Sequence, residues 1–139
     1  MRDGWLYEST GLRGSSSIRK VRLDTDLVVQ QHDLAEQYFG EGIVDWNDSL
    51  IAVTRNSGQG FVFAIDAFAA QDRFKYVGEG WGLTRSDSHL ILSDGTPVLR
   101  LLNPQSFETE KTISVTITGQ AVRNLNELEW VEGEILADV

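Results

Sequence analysis

Tyr38-Phe39-Gly40-Glu41-Gly42-Ile43 holds one carboxylate, Glu41, between two glycines and beside an aromatic, and the chain returns to this theme 38 residues later in Gly78-Glu79-Gly80-Trp81-Gly82-Leu83. A third unit has Asn124-Leu125-Asn126-Glu127-Leu128-Glu129 at the matching place. Glycine on both sides lets the backbone come close to another group and leaves Glu41 without bulky neighbours, which suits a carboxylate that touches a ligand. For the fold the recurrence matters more. A period near forty residues in a chain of strand-like units is the mark of a propeller or a related array.

Two further elements keep that period. A polar tip followed by apolar residues occurs at Gly4-Trp5-Leu6-Tyr7, Asp48-Ser49-Leu50-Ile51, Ser88-His89-Leu90-Ile91 and Gly133-Glu134-Ile135-Leu136; positions 6, 50, 90 and 135 are 44, 40 and 45 apart. An apolar residue with a turn former occurs at Leu23-Asp24, Ile65-Asp66 and Leu102-Asn103, spaced 42 and 37. Independent elements on one spacing argue for a structural repeat.

Within each unit the patterning is β. Runs 51–54 (Ile-Ala-Val-Thr), 61–65 (Phe-Val-Phe-Ala-Ile), 98–102 (Val-Leu-Arg-Leu-Leu) and 112–118 (Thr-Ile-Ser-Val-Thr-Ile-Thr) are short and rich in β-branched and aromatic residues. Turn chemistry bounds them at 46–49 (Trp-Asn-Asp-Ser), 56–58 (Asn-Ser-Gly), 93–95 (Ser-Asp-Gly) and Asn103-Pro104. Only Asp33 to Gln37 looks helical, and it is too short to change the class. The chain therefore reads as all-β, a partial β-propeller of four-stranded antiparallel blades. Residues 1–37 make an incomplete blade, 38–77 a second, 78–121 a third, and 122–139 the start of the next. Propellers close with about four to eight blades, because closure removes raw sheet edges. Three blades and a piece do not close, so either the array belongs to a longer ring or two copies complete one as a homodimer.

The 139 residues, 41% hydrophobic and 24% charged, suit a single globular domain. No window approaches the roughly eighteen unbroken apolar residues of a membrane span, and Met1-Arg2-Asp3-Gly4 does not open a signal peptide, so the expectation for the chain as written is cytoplasmic and off the membrane. The absence of cysteine excludes disulfides, thiolate metal sites and a thiol nucleophile. A net charge of −9 argues against nucleic acid and anionic membranes as partners. Neutral, polar or cationic ligands remain.

Taken together and in order, Leu6-Tyr7-Glu8-Ser9-Thr10-Gly11 with Gly14-Ser15-Ser16-Ser17, then Tyr38 to Gly42, then Glu79-Gly80-Trp81-Gly82-Leu83-Thr84, then Ser93-Asp94-Gly95, then Val122-Arg123-Asn124-Leu125-Asn126-Glu127-Leu128-Glu129, resemble the glutamine cyclotransferase family of plant- and bacterial-type enzymes. The resemblance spans nearly the whole chain. It implies a five-bladed propeller of which this chain holds about three blades. It also implies a metal-independent acyltransferase that converts the N-terminal glutamine of a peptide to pyroglutamate with release of ammonia, with no cofactor. Consistent with that, His32 and His89 are far apart in sequence and offer no ligand spacing.

In such a reaction the substrate's α-amine attacks its own side-chain carboxamide, so the protein orients the peptide and moves protons. One carboxylate can take the proton from the ammonium and deliver it to the departing ammonia. Glu41 is the candidate, and the family's Phe-Gly-Glu-Gly block carries the proposed catalytic glutamate at this place. Asn126 would hold the carboxamide or the α-amine, and Phe39 and Trp81 would wall the pocket. Each residue also has a plainer reading. Glu41 as a solvated turn carboxylate, Trp81 as packing between blades and Asn126 as a turn cap are the alternatives, with Glu79, at the repeat-equivalent place, as the rival acid. Glu127 and Glu129 are read as making structural contacts. The stretch Gly14-Ser15-Ser16-Ser17 lacks the lysine and helix of a phosphate loop and reads as a hairpin turn.

Where the family carries a tryptophan before a basic residue after Ala52-Val53-Thr54, this chain has Arg55-Asn56, which replaces a pocket aromatic with a cation able to repel an α-ammonium. The family pattern also extends before Met1 and beyond Val139, to further pocket residues. The expectation for a lone copy is therefore slow turnover or none. The alternative is a truncated, inactive relative that serves as a propeller-type binding or scaffold module, with Trp5, Trp46, Trp81 and Trp130 used for packing and interaction.

Overall fold

The computed structural model describes residues 2, 4–11, 16–35 and 37–139. The chain runs as successive antiparallel meanders. A first sheet holds β1 (Trp5–Thr10), β2 (Ser17–Arg22) and β3 (Val28–Asp33). The second holds β4 (Gly40–Trp46), β5 (Ser49–Thr54), β6 (Gln59–Ala64) and β7 (Ala70–Lys75), and the third β8 (Leu83–Arg85), β9 (Leu90–Leu92), β10 (Val98–Leu102) and β11 (Thr109–Ser114). Two hairpins follow, β12 (Thr116–Ile117) with β13 (Gln120–Ala121), and β14 (Leu128–Val131) with β15 (Glu134–Ala137). In each sheet every strand pairs with its sequence neighbour, as in a propeller blade. The fold is an all-β partial propeller.

The core lies between the sheets, and β5 shows why. Its run Ser49-Leu50-Ile51-Ala52-Val53-Thr54 is buried on both faces. Period-2 alternation sends Leu50 and Ala52 towards the first sheet, where they meet Ile18 and Leu34, and sends Ile51 and Val53 towards the third, where they meet Leu83, Leu90 and Leu92. A third cluster, Ile91, Leu99, Leu125 and Leu128, joins the third sheet to the last hairpin. A strand that feeds two cores reads as an unbroken apolar run, whereas outer strands such as β11 are exposed throughout.

Two local expectations are corrected. Asp33 closes β3, Leu34 is buried and Gln37 lies in a turn, so the described part of 33–37 is not helical. The run 112–118 is not one strand: β11 ends at Ser114, and Val115 turns the chain by donating to the Pro97 carbonyl and accepting from the Val122 amide before β12 begins. Gly14 and Ser15, read as part of a hairpin turn, lie outside the described residues; the strands on either side of them, β1 and β2, are an antiparallel pair.

Candidate active site

The first strands of successive sheets, β4, β8 and β14, pack side by side. Their hairpin partners fix a common register: Asp45 faces Leu50, Arg85 faces Leu90, and Trp130 faces Ile135. Counting four residues back from these three rungs gives Glu41, Trp81 and Asn126. The candidate acid, in β4, and the indole and amide, each two residues before β8 and β14, therefore stand the same number of residues ahead of equivalent rungs. Glu79, read as the repeat-equivalent of Glu41, lies two residues before that position, because the two glycine-rich segments align on this rung rather than on their Gly-Glu-Gly letters.

Glycine lets these strands crowd together. A β-carbon on Gly42 would lie 2.5 Å from the Leu83 nitrogen, and one on Gly82 would lie 1.9 Å from the Asn126 carbonyl oxygen. No other residue fits either place without a backbone shift. Around Glu41 the β4–β5 register slips between Gly40, opposite Thr54, and Ile43, opposite Ala52. Three residues on one strand thus span two on the other. Such a bulge re-aims the side chain it carries.

Side-chain and backbone bonds then stitch each sheet to the next. Ser16 Oγ accepts from the Gly40 amide at 3.0 Å, the Arg55 carbonyl accepts from the Gly80 amide at 3.2 Å, and Ser93 Oγ accepts from the Gly82 amide at 2.8 Å while donating to the Asn126 carbonyl at 2.6 Å. Ser16 and Ser93 are almost wholly buried. From the sequence both read only as turn residues; a polar residue closing an apolar run, as in Leu90-Ile91-Leu92-Ser93 and Leu50-Ile51-Ala52-Val53-Thr54, is a signal that marks Ser93 and Thr54, and Ser16 carries no such signal. Tyr76 is a second omission. Its buried hydroxyl donates to the Thr54 carbonyl at 2.5 Å and accepts from the Thr54 amide at 3.0 Å, holding the end of β5 beneath Arg55.

Glu41 keeps 17% of its side chain exposed, and its Oε1 lies 3.8 Å from Nη1 of Arg55. Burial pushes its pKa above the ordinary carboxylate value; Arg55 opposes the rise, and the neighbouring carboxylates of Glu127 and Glu79 add to it. Arg55 was expected as a replaced pocket residue, but its pairing with Glu41 could not be read from the sequence. Its guanidinium also stands 5.1 Å from the centre of the Trp81 ring. Trp81 is held by its indole nitrogen, which donates to Glu79 Oε2 at 2.7 Å, and by Gly95, on which the ring rests. Glu79 is thus the indole's acceptor. Arg100 fixes the segment leading to it, donating to the Val77 carbonyl at 2.8 Å and pairing with Asp94 at 3.3 Å.

Asn126 is anchored through its backbone, with the amide donating to the Asp138 carbonyl at 2.8 Å. Its side-chain oxygen is buried and has no hydrogen-bond partner among the described residues. Phe39 is placed differently: its ring lies over Gly11, in the seam between the first two sheets, and its carbonyl accepts from the Arg55 amide. The structure thus sets Arg55 against both Glu41 and Trp81, ties Asn126 through its backbone carbonyl to Ser93 beside Gly82, and leaves Phe39 in the neighbouring seam. Glu127, read as structural, is exposed and acts on Glu41 through its charge. The first strands also line an open groove that includes Ile43, Leu83, Leu128 and Trp130. Among the described residues no cluster of three or more histidines and carboxylates is arranged to hold a metal ion.

Comparison with known proteins follows the same lines. A family model described as glutamine cyclotransferase matches residues 1–139. A curated protein of Arabidopsis thaliana named glutaminyl-peptide cyclotransferase is 37% identical over 135 residues, covering 96% of this chain and 42% of that protein. The crystal structure of Myxococcus xanthus glutaminyl cyclase superposes with a TM-score of 0.89 at 30% identity, covering 99% of this chain and 58% of that one. The WD40 domain of Neurospora crassa Pan2, at 10% identity and a TM-score of 0.67 over 96% of this chain, shares the fold alone. This chain therefore spans about two-fifths to three-fifths of the length of the glutaminyl cyclases it matches. With the repeat, the inter-sheet stitches and these matches in agreement, the chain belongs to the glutamine cyclotransferase family.

Proposed function

We propose that this chain carries the proton-transfer carboxylate and part of the substrate pocket of a glutaminyl-peptide cyclotransferase. The observation that carries the reading is Glu41: a largely buried carboxyl with a raised pKa, joined through Arg55 to the face of the Trp81 indole. A carboxyl whose pKa is moved towards neutrality exchanges protons more effectively at physiological pH than an ordinary glutamate.

The reaction needs few groups. The substrate arrives with a protonated α-amine, and Glu41 as carboxylate takes one of its protons. The freed amine attacks the carbonyl carbon of the glutamine side chain, forming the five-membered ring and a tetrahedral centre. Glu41 returns the proton to the carboxamide nitrogen, and the carbon–nitrogen bond breaks as the carbonyl re-forms. The carboxylate then takes the second proton from the ring nitrogen and passes it to the departing ammonia, which leaves as ammonium with pyroglutamate as the new N-terminus. Atoms balance without a covalent enzyme intermediate. Asn126 Oδ1, with no acceptor role elsewhere among the described residues, is suited to receive an N–H of the amine or carboxamide. Trp81 supplies an apolar wall that limits water around the reacting atoms.

The test is ammonia release from a peptide that begins with glutamine, followed together with the loss of one ammonia from the peptide mass. Release that is slow in a lone copy but vanishes in Glu41→Gln supports the reading. A folded chain that leaves the peptide unchanged would instead act as a binding or scaffold module.

A further inference from the structure

Arg55 stands where a substrate cation would be expected. Its guanidinium lies 3.8 Å from the Glu41 carboxylate and 5.1 Å from the centre of the Trp81 ring, and a carboxylate beside an aromatic face is a site for a cation. The Arg55 backbone is fixed: its amide donates to the Phe39 carbonyl and its carbonyl accepts from the Gly80 amide. The side chain is not fixed in the same way. It is 44% exposed and meets Glu41 at the long end of ion-pair distances, a contact that water and salt weaken. The surrounding charge favours replacement of one cation by another, since Glu79 and Glu127 add negative potential around Glu41.

We infer that Arg55 is a resident competitor: its guanidinium occupies the subsite formed by Glu41 and Trp81 that receives the primary ammonium of the substrate, which binds by displacing it. The inference takes its substrate from the cyclotransferase reading. The Arg55 guanidinium lies against both walls of this subsite, so an ammonium that is to touch the Glu41 carboxylate and the Trp81 face together must take its place. Binding therefore requires the fraction of molecules in which Arg55 has swung into solvent, and apparent affinity falls by that fraction. Arg55 thus sets how strongly the chain holds an amino terminus, and competes most against ligands that offer only an ammonium.

The test uses n-butylammonium, a primary ammonium with no carboxamide to cyclise, titrated at constant ionic strength against the wild-type chain and its variants while the Trp81 indole N–H resonance is followed. Arg55→Gln and Arg55→Ala, changes at an exposed side chain, are expected to bind it about threefold to tenfold more tightly than wild type. Arg55→Lys, which keeps a cation within reach, is expected to fall between, and adding Glu41→Gln to Arg55→Gln is expected to remove the gain. Equal or weaker binding in both Arg55→Gln and Arg55→Ala would overturn the inference. Because the probe cannot react, this outcome is separate from turnover: failure of ammonia release removes the cyclotransferase reading and leaves the competition measurable.

Discussion

Ser93 and Asn126, 33 residues apart, are joined by a 2.6 Å hydrogen bond from the serine hydroxyl to the asparagine carbonyl, and the same hydroxyl accepts from the Gly82 amide at 2.8 Å. One buried side chain thus ties the first strand of the third sheet to the segment that carries the candidate amide. Removing it leaves a donor and an acceptor unmatched where water has little access. Ser93→Ala is expected to destabilise the chain by about 1–3 kcal/mol, read as a lowered urea midpoint at unchanged slope.

Gly82 sits so close to that carbonyl that a β-carbon would fall 1.9 Å from it. Gly82→Ala must push two first strands apart and is expected to cost about 1–3 kcal/mol or more by overpacking. Gly42→Ala, against the Leu83 nitrogen, tests the neighbouring seam in the same way. Stability within about 0.5 kcal/mol of wild type in both would show that the strands are not packed as described.

Asn126 separates a binding role from a structural one. Its side-chain oxygen is buried without a partner among the described residues, and such an oxygen adds little to stability. Asn126→Ala is expected to shift stability by less than about 1 kcal/mol while weakening retention of a glutamine-initiated peptide by about tenfold, the scale of a lost hydrogen bond to a charged or polar ligand. A large loss of stability with unchanged peptide binding would return Asn126 to a turn cap.

Much of the fold was legible in the sequence because a blade repeats one rhythm of strand and turn, so Leu50, Leu90 and Ile135 fall on one spacing and on equivalent rungs. The run 51–54 was read only as a strand; its burial on both faces comes from the sheets that pack on either side of it. The stitches were not legible. Ser16 to Gly40 and Ser93 to Asn126 join residues 24 and 33 apart, and nothing local to a serine names its partner. Letter matching also misaligned the second glycine-rich segment, because the register is set by the hairpin tips and by a bulge in β4, which spacing does not reveal. For the site, the glycine-flanked acid, the indole and the amide were named as candidates from their motifs. The Arg55–Glu41 pair was not, since Arg55 lies at the end of the adjacent strand. Phe39 was placed by adjacency to Glu41 in sequence, whereas its ring turns to the neighbouring seam over Gly11.

The raised pKa of Glu41 gives a pH signature. The folded chain holds this proton more tightly than the unfolded chain, so stability falls as pH rises from the ordinary carboxylate range through the folded value. Above that window the buried charge is a fixed cost. Glu41→Gln is expected to melt at a higher temperature than wild type near pH ~7, and the difference is expected to vanish near pH ~4, where both carry a neutral side chain. A lower melting temperature for the variant at neutral pH would mean that Arg55 outweighs burial.

The most direct test of the account is the rate of ammonia release from a glutamine-initiated peptide by the folded wild-type chain and by Glu41→Gln, measured side by side at neutral pH. A proton carrier contributes about a hundredfold or more to such a reaction, so the variant is predicted to be slower by at least that factor. Release at the same rate from both proteins would contradict it.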